Sequence, residues 1–159
     1  MGREVRADPG RRGGSGDSGR FEQTGPVESD LTSGEIELLV AGLSDDVALV
    51  WVLICLGIRG NPPAHPGPPS ASDVDAAFVA LDRLSRAGLV SVGHSEYLDG
   101  GPPGRFAPVK HVQEPIGDVK ARVVEACTNG ADWEWFCWVV NTADGDERAQ
   151  AQRSTRDHP

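Results

Sequence analysis

The sequence predicts a small α+β domain, and three observations carry that prediction. The first is a capped helix with one apolar stripe: Ser70-Ala71-Ser72-Asp73, then Val74, Ala77, Phe78, Leu81 and Leu84, closed by Gly88. The second is the alternating run at 89–97, Leu-Val-Ser-Val-Gly-His-Ser-Glu-Tyr. The third is a segment at 47–57 that is apolar on every side. Apolar spacings of three and four build one face of a helix, whereas strict alternation builds one face of a strand.

Gly34-Glu35-Ile36-Glu37-Leu38-Leu39-Val40-Ala41 opens the domain as a short helix or strand of unclear period. Ser44-Asp45-Asp46 then reads as an N-cap with two acids in the first turn, where carboxylates meet the positive end of a helix. The helix it starts should be central, because an all-round apolar helix must be covered on most faces. Asn61-Pro62-Pro63-Ala64-His65-Pro66-Gly67-Pro68-Pro69 is a loop of polyproline character. The stripe helix follows. The strand at 89–97, a turn-rich tip at 99–104 and a second strand at 106–113 form a hairpin. Glu114-Pro115 breaks it. A third helix at 116–126 turns Ile116, Val119, Val123 and Cys127 (or Val124) inward and ends at Asn129-Gly130. Residues 133–140 are the last strand, rich in aromatic and branched side chains.

Residues 1–32 and 143–159 are poor in apolar side chains. They cannot bury enough surface to offset the entropy of ordering, so both are expected to be disordered tails around a single domain at 33–142.

A buried helix, then a second helix ending in Leu81-Asp82-Arg83-Leu84-Ser85-Arg86-Ala87-Gly88-Leu89-Val90, a strand, a Gly/Pro tip and a return strand resemble a winged helix-turn-helix domain over residues 44–113. The resemblance implies a winged-helix-like core, here extended by a C-terminal helix and aromatic strand. It does not carry over the family's groove-reading positions. The N-terminal half of the helix that would enter a major groove presents Asp73, Asp75, Ala76 and Val79, and carboxylates there are repelled by phosphates. Arg83 and Arg86 lie at the far end, and the wing tip offers Arg105.

The charge balance argues the same way. The chain of 159 residues has a formal net charge of −9, and residues 26–142 hold 7 basic against 16 acidic side chains. Such a surface disfavours nucleic acid and favours solubility and basic partners. The best apolar stretch, 38–58, is interrupted by Ser44-Asp45-Asp46, short of the run of about 18 that a membrane span needs. Residues 2–20 lack the apolar core of a secretory signal. Cys55, Cys127 and Cys137 follow no paired spacing, which suggests reduced thiols and a cytoplasmic protein.

No motif dictates a reaction. Gly16-Asp17-Ser18-Gly19 echoes the nucleophile segment of chymotrypsin-like proteases, but Arg20-Phe21 follows where Gly-Pro should stand. A serine in a tail also lacks a rigid base beside it. His94 and His111 fall on the two hairpin strands. With the hairpin centred near Gly101-Pro102, position 94 pairs with 109 and 92 with 111, so the imidazoles become diagonal neighbours with Glu96 on their face; zinc wants three or four such ligands. No phosphate-loop or dinucleotide glycine pattern exists. The Pro-x-x-Pro spacings Pro63…Pro66 and Pro66…Pro69 suit a stiff surface loop.

Trp133, Trp135 and Trp138 crowd six residues. As strand residues, Trp133 and Trp135 would share one face, with Phe136 and Trp138 on the other. Aromatic side chains are enriched among interface hot spots. The expectation is therefore a non-enzymatic, cytoplasmic protein-interaction or regulatory domain without metal or cofactor. Its partner is an unidentified, basic protein, met through Asp73, Asp75, Asp82 and whichever of Trp133, Trp135 and Trp138 is exposed. The alternatives are a winged-helix DNA-binding regulator and an antitoxin- or immunity-type inhibitor of a basic protein.

Overall fold

Helix α1 (Ser33–Gly42) starts at Thr32, whose hydroxyl accepts from the Glu35 amide while the Glu35 carboxylate accepts from the Thr32 amide. This reciprocal cap satisfies two amides that a helix start otherwise leaves open. The computed structural model describes residues 30–60, 67–97 and 109–157. Four expectations from the sequence lie outside the described residues: the disorder of residues 1–29, the serine segment at 16–19, the proline run at 62–66 and the hairpin tip with Arg105.

After α1 come β1 (Val47–Ala48), α2 (Leu49–Cys55), α3 (Ala71–Arg86), β2 (Val90–Tyr97), β3 (Val109–Gln113), α4 (Ile116–Asn129), a 3-10 turn (Trp133–Trp135), β4 (Trp138–Asn141) and α5 (Ala143–Asp157). The strands form one antiparallel sheet in the order β1, β4, β2, β3. The architecture is α+β, as the sequence predicts. No helix among the described residues is long and apolar enough to cross a membrane.

Helix α3 follows its sequence pattern closely. Ser70 and Asp73 exchange cap hydrogen bonds, and Val74, Ala77, Phe78, Leu81 and Leu84 are buried as one stripe. They meet Leu38, Leu39, Leu49, Val52 and Leu53 from α1 and α2, and Val119 and Val123 from α4. The sheet adds Val90, Val92 and Val139 on the same side. In β2 and β4 the register alternates, so Ser91, Ser95, Trp138 and Val140 point to the opposite face, where all are half-buried. Helix α4 ends at Gly130, which holds φ of 68° in the left-handed region that favours glycine.

Several elements differ from the expectation. Val47 and Ala48 are not helical but pair with Val139 and Trp138. Branched Val47 suits an extended edge, and α2 starts only at Leu49 with no side-chain cap. Asp45 instead accepts from the Asp46 amide in the preceding turn. Helix α2 is covered on most faces, with Leu49, Val52 and Leu53 buried and Val50, Ile54 and Cys55 half-buried, but Trp51 is 51% exposed. The strand expected at 133–140 is a 3-10 turn followed by a four-residue strand. The hairpin register is His94 with Val112 and Ser95 with His111, not 94 with 109.

The segment at 143–157 is a helix rather than a tail. Thr142 caps it: its hydroxyl accepts from the Gly145 amide, its carbonyl accepts from the Asp146 amide, and Asp144 and Asp146 sit in the first turn. Ala149 is fully buried in the core cluster. Gly145 passes so near the Leu89 carbonyl that a Cβ would lie 2.0 Å from its oxygen. Asn141 joins three elements, donating to the Leu39 carbonyl at 2.8 Å and to Asp146 at 3.0 Å.

Candidate functional site

The acids expected on α3 are engaged within the fold. Asp73 caps its own helix and lies 3.9 Å from Arg59 Nε. Asp75 pairs with Lys120 Nζ of α4 at 2.6 Å, and Asp82 with Arg86 at 2.9 Å. Arg83 donates through Nε to Glu35 Oε1 at 2.8 Å and through a second nitrogen to Oε2. Both arginines of α3 therefore have carboxylate partners, and its three aspartates have cationic ones.

The tryptophans separate by environment. Trp133, expected at the partner surface, is buried at 5% exposure beneath the Arg59 guanidinium, 5.9 Å from its ring centroid. The tight turn moves it onto the helical side of the sheet. Trp135 is 58% exposed and rests on half-buried Trp138, ring centroids 5.5 Å apart and planes tilted by 33°. The expectation that these two fall on opposite faces fails because a 3-10 turn does not alternate. Phe136 is also exposed and lines a shallow pocket of about 280 Å³ with Arg122, Glu125 and Ala126.

Two further segments meet this corner. Ala48 pairs with Trp138, and the Leu49 amide donates to the Cys137 carbonyl, so the first turn of α2, carrying exposed Trp51, stands at the start of β4. Asp45 and Asp46 precede β1, and Asp132 and Glu134 flank Trp133. Among the described residues, none of these four acids has an Lys or Arg within ion-pair distance. Asp46 accepts from the Ser95 hydroxyl, at 3.4 Å. The alternation of acid and aromatic in Asp132-Trp133-Glu134-Trp135 is visible in the sequence, whereas the exposure of Trp51 is not.

The two hairpin histidines lie on opposite faces. Their neighbours differ accordingly. His94 Nδ1 is 2.7 Å from Glu114 and Nε2 is 3.1 Å from Glu96. Hydrogen bonds that the ring donates to Glu114, then to Glu96, push its pKa above the ordinary value. Arg122 binds Glu114 through two nitrogens, and chiefly for that reason the Glu114 carboxyl is held at about 2. His111 Nε2 lies 3.1 Å from the Ser91 hydroxyl, and burial lowers its pKa. A serine and an imidazole at that distance resemble a nucleophile and its base, but among the described residues the buried His111 Nδ1 has no partner to orient the ring. Among the described residues, no group of three or more His, Cys, Asp or Glu could hold a metal ion.

Comparison of the chain with protein-family models, with curated protein sequences and with solved structures finds no match.

Proposed function

We propose that the chain is a non-enzymatic protein-interaction domain with a regulatory role, built on a winged-helix-like middle. The observation that carries this reading is Trp135, more than half exposed and resting on Trp138 rather than on the core. Leaving the Trp135 indole and the open part of Trp138 in water forgoes an apolar gain of about 25 cal/mol for each Å² left uncovered, and a partner recovers it. The succession of α2, α3, β2 and β3 supports the winged-helix-like description. The ion pairs of Arg83 and Arg86 weigh against the DNA-binding alternative, since each would have to leave a carboxylate to reach a phosphate. The acids at the corner favour the version in which the partner is basic, as an antitoxin- or immunity-type inhibitor requires. A cytoplasmic location fits the three free cysteines.

The test is affinity capture from the native cell with the full chain and with Trp135→Ala/Trp138→Ala. The reading expects a protein retained by the wild type and lost with the double variant at unchanged circular dichroism. Retention of nucleic acid alone would refute it.

A further inference from the structure

The fold itself shows which chemistry suits an indole beside a carboxylate. Arg59 lays its guanidinium over Trp133 and approaches Asp73, with two more hydrogen bonds to the Gly67 and Pro68 carbonyls. A guanidinium stacks on an aromatic face and pairs with a carboxylate at once, because it is planar, permanently charged and weakly hydrated. Two residues further along the chain the same ingredients recur without the arginine. Trp135 and Trp138 present their rings, and Asp132, Glu134, Asp45 and Asp46 supply carboxylates with no Lys or Arg within ion-pair distance among the described residues. Glu35, Asp73, Asp75, Asp82 and Glu114, by contrast, have an Arg or Lys partner. At this corner, acids without such a partner alternate along the chain with uncovered aromatic surface.

We infer that this corner receives an arginine-bearing segment of a partner protein, with a guanidinium stacked on the Trp135 and Trp138 pair and bonded to the carboxylates that rim it. The inference rests on the protein-interaction reading and adds the partner's chemistry to it. Arginine is required over lysine, because an ammonium can satisfy the acids but cannot stack as a plane.

The probe is a pair of synthetic ten-residue peptides, one alternating Arg with Leu and the other Lys with Leu. Each is titrated into the full chain at low salt and followed by tryptophan fluorescence. The arginine peptide should bind at least tenfold tighter than the lysine peptide and weaken as salt rises. Trp135→Ala should cut its affinity at least tenfold, and Asp132→Asn/Glu134→Gln severalfold, whereas Val79→Ala on the exposed side of α3 should leave it unchanged. Equal binding of the two peptides, or undiminished binding by Trp135→Ala, overturns the inference. So does tight binding by the chain's own 1–25 segment, supplied as a free peptide, if it exceeds the arginine peptide, because the corner would then be closed from within. A native partner that needs Trp135 but buries neutral side chains on it would end this inference while leaving the proposed function intact.

Discussion

Arg83 bonds the Glu35 carboxylate with two nitrogens across 48 residues of sequence, joining the C-terminal end of α3 to the first turn of α1. Glu35 is wholly buried, and burial alone would push its carboxyl up. The bonds from Arg83 and from Thr32 outweigh that and hold it below the usual range. Removing the guanidinium strands a buried carboxylate, so Arg83→Met should lower the urea midpoint clearly. Arg86→Met, which breaks an exposed pair one turn on, should cost under about 0.5 kcal/mol. Were Arg83 a groove reader instead, its loss would lower duplex affinity and leave stability untouched.

The tie between the hairpin and α4 should make stability fall on both sides of neutrality. Glu114, depressed to about 2, contributes fully above its ordinary 4.5, and that contribution drains as pH falls toward 2. His94 is raised above 6.5, so its contribution is complete below 6.5 and disappears as pH climbs through its folded value. Glu114→Gln should cost on the order of 2 kcal/mol at neutral pH and flatten the acid limb. His94→Gln should flatten the alkaline limb of the curve above 6.5. Chemical denaturation at a series of pH values reads both slopes, and an unchanged acid limb in Glu114→Gln would contradict the ion-pair assignment.

Docking of α5 depends on the close approach of Gly145 to Leu89. Gly145→Ala places a methyl group against a carbonyl that the Thr142 amide also bonds, and backbone there has no rotamer by which to yield. A loss of about 1–3 kcal/mol is expected. Amide exchange should show α5 and the Asn141 side-chain amide unprotected together. Exchange confined to the last turn of α5 would mean that the helix does not need this contact.

How much of this was readable in advance depended on how local the determining interactions are. Helix α3 was legible because its cap, stripe and terminating Gly88 all lie within nineteen residues. Helix α5 was not, since its apolar content is little more than Ala149, and its support comes from Asn141, Leu39 and Leu89 elsewhere in the chain. The cap signal at Thr142, with Asp144 and Asp146 after it, was available but looks like any polar turn. Val47 and Ala48 read as helix because their strand character exists only through β4, about ninety residues later. At the surface, the crowding of Trp133, Trp135 and Trp138 was plain, whereas which indole is covered depends on a 3-10 turn and on Arg59. The charges of Asp73, Asp75 and Asp82 were visible too, but each partner is set by tertiary packing.

Thiol reactivity should follow burial. Cys137 is wholly buried, and burial pushes its pKa to about 12; Cys55 and Cys127 are half-buried and raised by the same cause. The native protein at pH 8 should leave Cys137 unalkylated by iodoacetamide until urea unfolds it, with Cys55 and Cys127 modified slowly beforehand. Peptide mass mapping distinguishes the three sites. Early modification of Cys137 would mean that the sheet and α4 do not close over it.

The claim on which the functional account turns is that the Trp135 corner, and not α3, meets the partner. Incorporating a photo-crosslinking benzoylphenylalanine at position 135 in one sample and at position 79 in another, in the native cell, tests it most directly. The account predicts a covalent adduct with one defined protein from position 135 and none from position 79. Adducts from position 79 to nucleic acid, with nothing captured at 135, would contradict it.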